Sequence, residues 1–176
     1  KKFKKILSLK KNSDNFYRVK RILAFFKKLK NKNANLLDIG SGLGIFLYEL
    51  RKKVKWKLSG VEPDKNFSNF SKKSLKLKIY NNDFKKFKLK KKFDIITLNK
   101  VIEHVKDPDL FLKKTKTLIK KNGYIYIEVP DGIAARNSKE GKNREEFFLD
   151  HLHVFSLNSL KNSIVKNNFK LLSIKT

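Results

Sequence analysis

The stretch Leu36–Leu47, LLDIGSGLGIFL, decides the reading of this chain. A short apolar run ends in Asp38 and breaks into three glycines, Gly40, Gly42 and Gly44, after which apolar periodicity resumes at once. That order predicts a buried strand, a tight glycine turn and the start of a helix. Glycine has no Cβ, so at Gly40 and Gly42 a ligand can come close to the backbone. In an open α/β sheet such a turn lies in the crevice beyond the carboxyl end of its strand.

Working outward, Phe16–Lys30 repeats apolar residues at helical spacing through Val19, Ile22, Leu23, Phe26 and Leu29. The first strand is expected over Asn35–Gly40 and its helix over Leu43–Lys52. Lys57–Pro63 predicts a second strand ending at Glu62, Leu75–Asp83 a third and Phe93–Asn99 a fourth. Asp107-Pro108 opens a helix as an acidic cap followed by proline at the first helical position. Asn122-Gly123 is expected to stop it, because glycine takes the left-handed conformation there. Tyr124–Pro130 reads as a fifth strand, Asp131–Phe155 as irregular and polar, Ser156–Asn167 as a helix and Phe169–Ile174 as a sixth strand. Strands alternating with helices predict a mostly parallel sheet covered on both faces.

Composition bounds the class. At 176 residues the chain is long enough for one domain with a real core. No apolar run approaches the roughly 18 residues that span a membrane. The basic start KKFKKILSLKK lacks the apolar core of a secretory signal. A cytoplasmic location is the default. The absence of cysteine excludes disulfides, thiolate metal sites and thiol nucleophiles. Methionine is absent even at position 1, which reads as processing, truncation or residues not written as standard amino acids. The net charge is +28. Its source is lysine spread along the whole chain beside abundant Asn, Ile and Phe, a mixture that an A/T-rich coding sequence produces without selection for an anionic partner. Arginine, the residue suited to bidentate phosphate contacts, is scarce.

The glycine turn discriminates among ligands. A phosphate-binding P-loop needs Lys and Ser or Thr after its last glycine, and here Gly44 is followed by Ile45 and Phe46. A dinucleotide turn places a small residue where this chain has Ile45. Glu62 lies about 24 residues beyond Asp38, near the roughly 20-residue spacing of an acid that binds ribose hydroxyls.

From Phe16 onward the chain resembles a class I S-adenosylmethionine-dependent methyltransferase. The matching pieces, in order, are LLDIGSGLG (Leu36–Gly44), GVEPD (Gly60–Asp64), NNDF (Asn81–Phe84), FDIITLNKVIEHVKDP (Phe93–Pro108) and NGYIYIEVP (Asn122–Pro130). VIEHVKDP and the later DHLHVFSLNSL (Asp150–Leu160) are similar to the small-molecule branch, which includes quinone-biosynthesis enzymes and those that methylate sugars or envelope precursors.

The resemblance implies a Rossmann-like three-layer α/β/α sandwich of six to seven strands. It implies that Gly40 and Gly42 let the methionine part of the cofactor lie against the backbone, with Asp38 organising the turn and receiving the ammonium. Glu62 would accept from the ribose diol and Asp83 from the adenine amino group. Phe84 would form a wall, and Leu98 and Asn99 would border the sulfonium. A single domain is expected over residues 1–176, with a helical region at 1–34 and an acceptor-binding lid at 131–155.

The three histidines, His104, His151 and His153, are the candidate bases, since histidine titrates near neutral pH. If extended, His151 and His153 point to the same side, and Asp150 is placed to orient one of them. A two-histidine metal site is an alternative, but methyl transfer needs no metal, and the sequence shows no third ligand with persuasive spacing. The expected reaction is methylation of a small-molecule oxygen. The alternatives are an RNA methyltransferase using the basic surface and a non-catalytic cofactor- or protein-binding domain. Against RNA, the fourth strand ends in Leu98-Asn99-Lys100 rather than the Asn/Asp-Pro-Pro-aromatic motif. The resemblance implies a seventh strand, which would have to follow Thr176; the two alternatives are that this strand is missing from the sequence or that a partner completes the open edge as a homo-oligomer.

Overall fold

A computed structural model describes residues 14–27, 33–144, 147 and 151–175. Its elements are helix α1 (Asp14–Phe25), strand β1 (Asn35–Ile39), α2 (Ile45–Arg51), β2 (Lys57–Glu62), α3 (Lys65–Leu75), β3 (Lys78–Asn81) and β4 (Phe93–Asn99), then α4 (Pro108–Leu118), β5 (Ile119–Glu128), α5 (Gly132–Arg136) and α6 (Leu157–Lys166). Single 3-10 turns stand at Ile102–His104 and Gly141–Asn143. The sheet order is β3-β2-β1-β4-β5, with β1 parallel to β2 and β2 parallel to β3. This is the expected α/β architecture. Lys28–Lys30, Asp150 and the first 13 residues lie outside the described residues.

The chain divides into two compact units. One holds the described residues up to Thr97 together with Ile119–Tyr126; the other holds Leu98–Leu118 and the described residues from Ile127 onward. The first has a continuous apolar core that includes Ile22, Leu36, Leu47, Leu50, Ile79 and Ile95. Its α1 is amphipathic, burying Val19 and Ile22. Asp94 ties β1 to β4 by accepting from the Asn35 main chain at 2.9 Å, and it pairs with Lys120 of β5 at 2.8 Å. In the second unit, α4 and α6 are locked by Asp109, which takes bonds from Ser163, Lys166 and Asn167 at 3.0, 2.6 and 2.8 Å.

Three expectations are corrected. Residues 169–175 form no strand, and among the described residues the sheet has five strands with β5 at one edge. An extended segment becomes a strand only when a ladder satisfies its backbone, and Phe169 instead closes α6 by donating to the Ile164 carbonyl at 3.2 Å. Asn122-Gly123 does not stop α4, which ends at Leu118. Gly123 lies inside β5 without a positive φ, and a Cβ there would stand 3.0 Å from the Phe93 carbonyl oxygen, so its smallness serves close packing on β4. Finally, α3 falls where no helix is expected, capped by Asp64 accepting from the Phe67 main chain at 2.8 Å.

Candidate active site

The glycine turn forms because all three glycines take left-handed φ: 73° at Gly40, 53° at Gly42 and 71° at Gly44. Residues with a Cβ rarely tolerate that region. The main-chain amides of Gly40 and Ser41 both donate to the Val61 carbonyl at 2.9 and 3.1 Å, fastening the turn to the end of β2. Glu62, buried at that end, completes the fastening. Its Oε2 accepts from the Gly42 amide at 2.6 Å and its Oε1 from the Asp64 amide at 2.9 Å. Each carboxylate oxygen keeps acceptor capacity beyond these bonds. Over Gly42 a Cβ would meet nothing within 4 Å, so the turn has an open face.

Asp38 is buried at the end of β1, where Thr97 Oγ1 donates to its carboxylate at 2.7 Å. Asp83 is exposed and folds onto its own turn, its Oδ1 accepting from the Lys85 amide at 2.8 Å. Phe84 is buried, with its ring centroid 6.4 Å from that of Phe87. Leu98 is fully buried and Asn99 half-buried at the carboxyl end of β4. The next residue, Lys100, sits at φ 55°, a left-handed conformation in a non-glycine residue, and its amide donates to the Glu128 carbonyl at 2.8 Å. Backbone held in that region costs of order 1–3 kcal/mol and concentrates at functional sites.

The second unit assembles the histidines. His104 ends the 3-10 turn and is exposed; its ring lies 4.6 Å from that of half-buried His151, tilted by 53°. The His153 ring lies 6.0 Å from that of Phe155. The extended arrangement expected for His151 and His153 is replaced by a bend at Leu152. The amides of Leu152 and His153 both donate to the single carbonyl of Glu103, at 2.8 and 3.1 Å, which turns the chain between the two imidazoles.

Glu103 is the residue that sequence reasoning left without a role. It is only 1% exposed, and neither carboxylate oxygen has a hydrogen-bond partner among the other described residues. Burial pushes its carboxyl pKa up, against the opposing pull of His104, His151 and Lys100. One atom each from Glu103, His104 and His151 lie within 4.8 Å of one another, so a third donor stands beside two of the histidines. VIEHV contained the acid, but its meeting with His151 is made by the fold.

Comparison with known proteins fits this geometry. A family model described as a methyltransferase domain matches residues 12–174. The chain is 39% identical over 104 residues to a ubiquinone biosynthesis O-methyltransferase of Pelagibacter ubique, covering 54% of this chain and 42% of that protein. It is similar in fold to the plantazolicin methyltransferase BpumL in complex with SAH, with a TM-score of 0.74 and 20% identity over 93% of this chain and 68% of that one. A possible histamine N-methyltransferase of Thermotoga maritima gives a TM-score of 0.66 at 25% identity, over 90% of this chain and 76% of that one. The matched stretch spans less than half the length of the curated relatives. With the family model matched across nearly the whole chain, the glycine turn, its acid at the end of β2 and the five-stranded sheet have a common origin: the chain belongs to the methyltransferase-domain family.

Proposed function

We propose that this chain binds S-adenosylmethionine and transfers its methyl group to an oxygen of a small-molecule acceptor: a sugar, a cell-envelope precursor or a quinone-like ring. The observation that carries the reading is the glycine turn joined to Glu62 by the 2.6 Å bond from the Gly42 amide, with open space above Gly42. A ligand can lie against the backbone there, and a charged acceptor beside it strengthens hydrogen bonds from a diol. Family membership and the similarity to a protein named as an O-methyltransferase support the donor and the oxygen acceptor.

When bound, the cofactor supplies an already activated methyl group. What is left for the chain is positioning, which can supply roughly 7–11 kcal/mol of a barrier, and one proton. Asp38, Gly40, Gly42, Glu62, Asp83 and Phe84 would hold the cofactor, with Leu98 and Asn99 bordering the reacting methyl. His151 or His104 would take the proton of the acceptor hydroxyl at an imidazole nitrogen. Glu103 then faces an imidazolium with a buried carboxylate. His153, clamped through its amide, serves the shape of the loop. Residues 131–155 would form the acceptor-binding lid.

Titration calorimetry with S-adenosylhomocysteine tests the cofactor. Tight binding is expected, with Glu62→Ala weakening it by at least about tenfold; no binding by the unaltered protein, or unchanged affinity in the variant, defeats the reading.

A second reading has the Glu103, His104 and His151 trio holding a divalent cation, favoured by the spacing of its three donor atoms. Dialysis against a chelator separates the two. Turnover that survives supports proton transfer to histidine alone; turnover lost and restored by added cation supports the metal.

A further inference from the structure

A groove of about 570 Å³ runs along α5 and the segment that follows the histidines, lined by Ile133, Arg136, Asn137, Phe147, Val154 and Ser156, with Gly132 at its floor. Its volume falls within the range of small-molecule sites. The walls are held in place. The Gly132 amide donates to the Phe155 carbonyl at 2.9 Å, and a Cβ on Gly132 would stand 2.3 Å from Val154 Cγ1, so only glycine lets α5 sit this close to the segment.

The lining has an apolar and a cationic part. Ile133 and Val154, both in the lining, are 55% and 45% exposed and give the groove its apolar part. Among the described residues of the lining, Arg136 is the only charged one. The nearby Asp131 is turned away from that role, its Oδ1 accepting from the Ile133 and Ala134 amides at 3.0 and 3.1 Å as the cap of α5.

Arginine supplies only five of the 44 cationic side chains. Arg18 is bonded to Asn15, Arg51 to the Leu75 carbonyl and Arg144 to Glu140, and Arg21 is engaged as well. Arg136 alone has no hydrogen bond or ion pair among the described residues. A guanidinium offers a planar fork that matches a carboxylate or phosphate, which a lysine does not.

We infer that this groove binds an amphiphilic anion, with an oxyanion on Arg136 and an apolar body across Ile133, Phe147 and Val154. The inference rests on the methyl-transfer reading for its meaning. It makes the acceptor a molecule with an apolar body and a carboxylate or phosphate, lying along the segment that carries His151 and His153.

The test is calorimetry on the full chain saturated with S-adenosylhomocysteine, using octanoate, octyl phosphate, octanol and acetate as probes. Octanoate or octyl phosphate binds, and the tighter of the two identifies the head group. Octanol and acetate bind at least about tenfold more weakly, since each lacks one half of the recognition. Arg136→Ala lowers the affinity for the anionic amphiphile about tenfold or more, Arg136→Lys restores only part of it, and Lys139→Ala changes it less than about twofold.

The inference is overturned if octanol matches octanoate, if neither anionic amphiphile binds, or if Lys139→Ala costs as much as Arg136→Ala, the mark of diffuse attraction to a basic surface. Because Arg136 is exposed, its variants retain the fold, and their unchanged affinity for S-adenosylhomocysteine verifies this. A protein that binds S-adenosylhomocysteine but no amphiphile loses this inference alone, whereas one that binds no S-adenosylhomocysteine loses the methyl-transfer reading.

Discussion

Gly42 and Gly44 share a left-handed backbone, yet their surroundings separate two kinds of requirement. A Cβ at Gly44 would stand 2.7 Å from Leu77 Cδ1 and 2.8 Å from Ser71 Oγ, so Gly44→Ala adds steric conflict to backbone strain. Strain of about 1–2 kcal/mol and overpacking of about 1–3 kcal/mol should lower unfolding stability by about 2–5 kcal/mol in urea. Gly42→Ala meets only the strain, but its methyl group would occupy the open face. It is expected to weaken S-adenosylhomocysteine binding with the smaller loss of stability. Equal stability losses in the two variants would remove the distinction. Glu103 presents the opposite balance. Its folded pKa is raised above the ordinary 4.5, so the folded state binds the extra proton and stability falls as pH rises through that interval. Glu103→Gln removes the buried charge. Its Tm should exceed that of the unaltered protein by roughly 2–4 °C at pH 8, the equivalent of about 1 kcal/mol, and the gain should vanish below pH about 4.5, where both side chains are neutral. Turnover should fall in the same variant, as expected where a destabilising group serves function. A variant less stable than the parent at pH 8 would mean that the carboxylate is a structural partner.

At the level of elements, the bond of α4 to α6 depends on one acid. The Lys166 ammonium, then Asn167, holds the Asp109 carboxyl down at about 2. For a depressed acid the stabilisation is present above the unfolded pKa near 3.8 and is lost as pH falls through about 2. Asp109→Asn should cost about 1–2 kcal/mol at pH 7, and acid unfolding followed by far-UV circular dichroism should lose its component between pH about 4 and 2. An unaltered acid limb would show that α6 is held by its apolar face alone. The same scale explains what the sequence disclosed. β1, β2 and β4 were legible because buried parallel strands are short apolar runs ended by the site residues themselves, Asp38, Glu62 and Asn99. α3 was not, because its buried side is made of Ser68 and Ser71, both fully buried, with Leu75 at its end as the one buried aliphatic residue. Ser71 is small for the reason that Gly44 is glycine: the two elements touch there, and apolar periodicity is blind to a face built from serine. The glycine turn and its acid are local in sequence and could be read. The trio of Glu103, His104 and His151 joins segments 48 and 47 residues apart, a meeting that the bend at Leu152 creates and no spacing announces.

For the molecule as a whole, the net charge of +28 is the property most open to misreading. No helix among the described residues is long and apolar enough to cross a membrane. They are exposed on strands, helices and connections alike, from Lys20 of α1 to Lys161 of α6, without gathering on one element. Dispersed cations attract any polyanion through counterion release, and that attraction carries no recognition. Recognition of a nucleic acid would need base contacts or aromatic stacking from a defined surface, which survive when the ionic term is screened. The two cases diverge with salt. A fluorescent 20-nucleotide RNA should bind at about 50 mM salt and lose about 10³-fold or more in affinity by 200 mM if the attraction is only the sum of phosphate contacts. The same loss should be seen with a single-stranded DNA of equal length, since neither sugar nor base is read. Binding that holds its strength above 200 mM, or that prefers RNA over DNA by more than about tenfold, would require a dedicated nucleic-acid surface. It would transfer the methyl acceptor from small molecules to RNA. With the salt-labile outcome, the charge is a property of the composition, and specificity for the acceptor falls to the few groups fixed in the second unit: Glu103 with its histidines and the unpaired guanidinium of Arg136.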